Sequence, residues 1–136
     1  MLTRRDVLTA VLDYRQANGD EVPRTWPVSD TILAINSQKG TRLLINAYGE
    51  EATEDKTFTC VARALHHAAC KLYEKERRCG DIIALAFPYT HSFWENVKPL
   101  RKALNRLGIT CFLVRPNRSV FVCTEGTPRP GPLLVP

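Results

Sequence analysis

No stretch of this chain approaches the roughly 18 consecutive apolar residues that a bilayer-spanning helix requires, and this sets a membrane-embedded reading aside. The first residues are also unlike a secretory signal: Met1-Leu2-Thr3-Arg4-Arg5-Asp6 holds two arginines, but the segment behind it is amphipathic and interrupted by Asp13 and Arg15. A cytoplasmic location with no membrane partner is therefore expected. The five cysteines, Cys60, Cys70, Cys79, Cys111 and Cys123, are odd in number and contain no Cys-x-x-Cys pair. Reduced structural thiols fit that spacing better than a disulfide framework or a zinc site. Also lacking are a glycine-rich phosphate loop, a Gly-x-Ser-x-Gly elbow, a His-Glu-x-x-His pair and any internal repeat. The adjacent His66-His67 pair does not replace them, because neighbouring helix residues point about 100° apart and converge poorly on one metal ion.

What is present describes an ordinary folded protein. Apolar residues make up 44% and charged residues 24% of 136, a balance that excludes a disordered chain and suits one core. Residues 1–125 are expected to form a single α/β domain, with residues 126–136 a proline-rich, flexible tail. The net charge is +5, from 19 Lys and Arg against 14 Asp and Glu. More telling is its placement: between Asn96 and Ser119 stand Lys98, Arg101, Lys102, Arg106, Arg115 and Arg118, with no acidic residue among them. Such a stretch can neutralise phosphates or simply solvate a helix face.

Hydrophobic periodicity sets the elements. Thr3 can cap a first helix with Asp6 three residues on, followed by Val7, Leu8, Val11 and Leu12 at helical spacing, and Gly19 ends it. A short edge strand is expected around Glu21 to Arg24, kept from a sheet centre by prolines. The apolar runs ending at Ile35 and beginning at Thr41 flank Asn36-Ser37-Gln38-Lys39-Gly40 and read as a β-hairpin. Phe58, Val61, Ala62, Leu65, Ala68, Ala69 and Leu72 then recur at steps of three and four, predicting a helix with that face buried and Arg63, His66, His67, Lys71 and Glu74 opposite. Asp81 to Phe87 is almost continuously apolar, as in a strand covered on both faces. A further helix, kinked or started late by Pro99, turns Phe93, Trp94, Val97, Leu100, Leu104 and Leu107 inward. Two strands around Pro116-Asn117-Arg118 close the order. The fold class is α/β, a mixed central sheet flanked by helices, in the order α-(β)ββ-α-β-α-β-β.

From Gly19 through Val114, about two-thirds of the chain, this order resembles the PD-(D/E)XK nuclease superfamily, the restriction-endonuclease-like fold. In that family an aspartate opens the second strand of a meander, and a Glu-x-Lys or Asp-x-Lys triplet ends the third. Pro27-Val28-Ser29-Asp30 stands where the aspartate belongs, which makes Asp30 the candidate metal ligand. Asn46 and Tyr48 take the places of the acid and the lysine, and Gly49-Glu50 follows as a Gly-Glu pair often does. Residues two apart on a strand share a face, so the family's pair aims both groups at one metal-activated water. An asparagine removes charge from such a site, and a tyrosine cannot supply the cation.

The resemblance thus implies a nuclease-like protein with a degraded catalytic motif that binds DNA, RNA or a nucleic-acid-processing partner. Its nucleic-acid contacts would be Arg63, His67, Lys71, Arg101, Lys102, Arg106, Arg115 and Arg118. No cofactor is expected unless the protein cuts, in which case Mg²⁺ or Mn²⁺ would sit on Asp30 and Glu50. An active metal-dependent nuclease with relocated ligands, adding Glu51 or Asp55, stays open, as does a structural interaction module or homo-oligomer built on an apolar patch around Phe93 and Trp94.

Overall fold

The chain is seen in a computed structural model that describes residues 1–21, 32–36, 39–50, 56–74 and 80–123. Helix α1 (Arg4–Ala17) begins at the box read from the sequence: the Asp6 N–H donates to Thr3 Oγ1 at 3.1 Å, and the Thr3 N–H returns a bond to Asp6 Oδ2 at 3.0 Å. Two orphan amides of the first turn are satisfied in this way. At the other end Asp20 is buried and accepts from Arg15 Nε at 2.8 Å and from Asn36 Nδ2 at 3.0 Å, tying the helix exit to the hairpin.

The sheet has five strands in the order β1-β2-β3-β4-β5: Ile32–Asn36, Thr41–Ala47, Asp81–Pro88, Ile109–Val114 and Val120–Cys123. The outer pairs β1/β2 and β4/β5 are antiparallel, and β2, β3 and β4 run parallel. A bridge from Glu21 to Ile35 extends the hairpin side by one antiparallel contact, where an edge strand is expected. Residues 22–31 and the tail 126–136 lie outside the described residues.

At the start of the parallel pairing Arg42 sits opposite Asp81 and binds it with two bonds, 2.7 and 2.6 Å. The Asp81 side chain is 1% exposed, so the fork supplies the partner that a buried carboxylate needs. The same carboxylate, through its hydrogen bond first, pushes the Arg42 guanidinium pKa up.

Strand alternation divides the core into two layers. Leu43, Ile45 and Ala47 of β2 join Ala84, Ala86, Phe112 and Val114 under α1. Leu44 and Tyr48 face the other way, with Ile83, Leu85, Phe87, Cys111 and Leu113 under the remaining helices. Those helices are α2 (Thr57–Leu72), α3 (His91–Val97) and α4 (Arg101–Leu107), the last two joined by a 3-10 turn at Lys98–Leu100. That turn is how Pro99 interrupts the helix: its ring tolerates the first turn of a new segment but not a continuous one. Ser92 Oγ donates to Thr57 Oγ1 at 2.8 Å and links the starts of α3 and α2. Among the described residues no helix is long and apolar enough to cross a membrane.

Two placements differ from the sequence reading. Phe58 and Ala62 are exposed, Phe58 at 74%, while Ala64 is buried. The buried face of α2 is Thr57, Val61, Ala64 and Ala68, rotated by roughly 70° from the apolar stripe at 100° per residue. Leu107 is 43% exposed because α4 ends there and only Leu104 reaches the sheet side. Phe93 and Trp94 are 1% and 4% exposed. They belong to the core, as the helical spacing predicts, and do not form the exposed patch on which the interaction-module alternative is built.

Cys111 and Cys123 are buried and fit the structural role, Cys70 is exposed, and Cys79 lies outside the described residues. Cys60, Cys70, Cys111 and Cys123 are free, and Cys111 faces Cys123 across β4 and β5. Burial pushes both of the facing thiols up, away from the reactive thiolate.

Candidate functional site

The rotation of α2 leaves apolar surface uncovered beside the end of β2. Tyr48 directly follows that strand, and its ring stacks on Phe87 at 5.4 Å with 23° between planes. Along the adjacent helix, Phe58, Ala62 and His66 lie on one i, i+4 row, and Thr59, Arg63 and His67 on the next. Together with Tyr48 these six residues line an open cleft of about 580 Å³. Among the described residues the lining combines apolar and aromatic side chains with a guanidinium and two imidazoles, and contains no carboxylate.

Several sequence candidates meet here. Tyr48, Arg63 and His67 share the cleft. Asn46 points toward the same face of the sheet, since Leu44 and Tyr48 on either side of it pack there and its partner in register is Leu85. It is 7% exposed and lies under the surface instead of lining the opening. Lys71 continues the Arg63–His67 row by one turn, with its Nζ 3.6 Å from Glu74 Oε1.

Others do not join. The Glu50 carboxylate accepts a hydrogen bond from the Leu2 N–H, and the Glu50 N–H donates to Leu2 O at 2.8 Å, so this residue fastens the amino end to the close of β2. Arg4 Nε donates to Ala47 O at 3.2 Å and reinforces the same junction. Asp30, Glu51 and Asp55 lie outside the described residues. Among the described residues no group of three or more His, Cys, Asp or Glu side chains could hold a metal ion.

The basic stretch after Asn96 separates into different places. Arg101 lies over the Trp94 ring at 5.3 Å and Arg115 over Phe121 at 4.9 Å. Between those rings Tyr89 makes edge contacts to both, 5.7 Å to Trp94 and 5.0 Å to Phe121. Two cations therefore cap one aromatic row, a packing role that a charge count does not reveal. Lys102 and Arg106 are exposed on α4. Arg118, at φ 70°, pairs with Asp6 of α1 at 3.2 Å on the opposite layer. It also lines a second cleft of about 450 Å³ with Asp13 and Tyr14, away from α2.

Sequence reading missed Phe58 and Ala62 as surface residues. The available signal was the width of the apolar stripe on α2, which exceeds what one small-residue face can bury. Cys60, half buried beside the cleft, has its thiol pushed up by burial, with Arg63 pulling it partly back, so it is no ready nucleophile.

Compared with known proteins, no family model matches the chain, and no curated protein or solved structure gives a significant match. What the fold itself defines is an α/β protein with a five-stranded mixed sheet flanked by helices.

Proposed function

We propose that the chain is a nuclease-like fold protein with a degraded catalytic motif, and that it binds nucleic acid at the Tyr48–α2 cleft. The observation that carries the reading is the composition of that cleft: Arg63, His66 and His67 beside exposed aromatic surface, with no carboxylate in the lining among the described residues. An anionic polymer with flat apolar bases meets both halves of such a surface, phosphate on the guanidinium and base on the ring. The position also suits the reading. Tyr48 closes β2 at the carboxyl end of a parallel strand, the edge where open α/β sheets gather ligands.

The relation to the nuclease fold rests on element order and on Asn46 and Tyr48, two apart and on one face at the end of β2, beside the Arg63–His67 row. In that position Tyr48 supplies a ring in place of a lysine, which favours binding over cleavage. The test is direct binding of labelled DNA and RNA at about 50 and 200 mM salt, because phosphate neutralisation makes affinity fall steeply over that range. Affinity that drops with salt is expected; no affinity at either concentration would overturn the proposal.

A further inference from the structure

We infer that the cleft takes an unpaired strand in preference to a duplex, with a base stacked on Phe58; this rests on the nucleic-acid reading above and specifies its substrate class. The first observation is Phe58 itself. A phenylalanine 74% exposed on a sixteen-residue helix whose other face is packed leaves a large ring in water at the mouth of a recessed site.

The second is the division of the lining. Ala62, exposed and small, lies between Phe58 and His66, one turn from each on the same row, and Tyr48, stacked on Phe87, lines the same cleft. A small residue beside an exposed ring leaves that ring's face open to a planar group. The bases of a duplex are stacked on one another and offer only edges and phosphates outward, so a duplex cannot fill an apolar recess. An unpaired base can, because its face is available and every base has one.

The third is extent. From Phe58 to His66 the row spans about 12 Å at 1.5 Å per residue, longer than one base is wide, and Arg63 and His67 run alongside it. A strand laid along α2 would place bases on the Phe58–Ala62–His66 row and phosphates on the Arg63–His67 row. The volume, about 580 Å³, is within the roughly 300–1,000 Å³ of small-ligand sites.

The test uses the full chain and fluorescence anisotropy with three probes: a short labelled oligo(dT), a duplex of the same length, and free thymidine monophosphate as competitor. The single strand should bind at least about tenfold more tightly than the duplex. Phe58→Ala should lower single-strand affinity about fivefold or more, as loss of one stacked base does, and leave duplex affinity unchanged. Phe58→Trp should restore it. Since Phe58 is exposed, circular dichroism of the Ala variant should match the parent and separate loss of stacking from loss of fold.

If Arg63→Ala weakens binding but Phe58→Ala does not, or if the duplex binds as well as the strand, the single-strand inference falls and the nucleic-acid reading stands. Displacement of the strand by thymidine monophosphate at equal concentration would overturn the strand in favour of a mononucleotide site. No binding of any probe would overturn both.

Discussion

Gly80→Ala should be among the most damaging small substitutions in this protein, and the junction it tests is the one that places Tyr48. Gly80 precedes β3 at φ +93°, a conformation open to glycine but strained for other residues. Its own carbonyl accepts from the Arg42 N–H at 3.2 Å, so it stands at the origin of the β2/β3 register. A methyl group there would lie 2.7 Å from the Gly40 carbonyl oxygen, a backbone atom held by the hairpin turn. Gly19, at φ +97° with nothing within 4 Å of the added carbon, provides the control.

Left-handed backbone costs an alanine roughly 1–2 kcal/mol, offset by about 0.4–1 kcal/mol from the stiffer unfolded chain. Gly19→Ala should therefore lose about 1 kcal/mol or less. Gly80→Ala bears the same strain plus an overpacking cost of about 1–3 kcal/mol, for a total near 3 kcal/mol. Urea unfolding of both variants with unchanged m-values reads the difference. Equal losses would show that the hairpin turn yields freely to the methyl group and that the close approach does not hold the register.

Other substitutions test other parts of the structure. Val61→Ala should destabilise by about 2 kcal/mol while Phe58→Ala stays within about 0.5 kcal/mol; thermal melts in the reverse order would return the apolar stripe of α2 to the core. Tyr89 is buried, and its hydroxyl has no hydrogen-bond partner among the described residues. Tyr89→Phe keeps the edge contacts to Trp94 and Phe121, so it should be neutral or stabilising by up to about 1 kcal/mol; a clear loss in chemical denaturation would mean that the hydroxyl is bonded. The Thr3 backbone hydrogen bond, first among its causes, holds the Asp6 carboxyl below its usual pKa, with Arg118 adding a smaller pull. Stabilisation from that charge is present in full above the unfolded value of about 3.9 and is lost as pH falls through the lower folded value. The melting-temperature gap between wild type and Asp6→Asn should therefore close in acid, and a gap that persists unchanged would assign the effect to hydrogen bonding without charge.

Much of the architecture is legible in the residues because local rules agree with the tertiary arrangement. Thr3 with Asp6 marks the first helix, the turn at Asn36 to Gly40 marks the hairpin, and the apolar run from Asp81 marks a strand covered on both faces. Pro99 forecasts a break, though not its form. The errors share one origin. Periodicity reports which residues are apolar and cannot tell which part of a wide stripe the sheet covers; Phe58 and Ala62 fall on the uncovered side because Thr57, Val61, Ala64 and Ala68 already meet the neighbouring elements.

Charge is legible only as a total. Arg101 and Arg115 cap an aromatic row, Arg118 binds Asp6 on the other layer, and Arg63 lines the cleft. Glu50 looks like a site carboxylate in sequence, yet it bonds the backbone of Leu2, forty-eight residues away. Such a long-range partner leaves no local trace.

The most direct test of nucleic-acid binding at the cleft is the salt dependence of affinity for wild type and Arg63→Ala. Loss of one phosphate contact should weaken binding and reduce the slope of log affinity against log salt by roughly 0.7–0.9. An unchanged slope and affinity, or a wild-type protein with no salt-dependent affinity, would contradict the assignment of nucleic acid to this cleft.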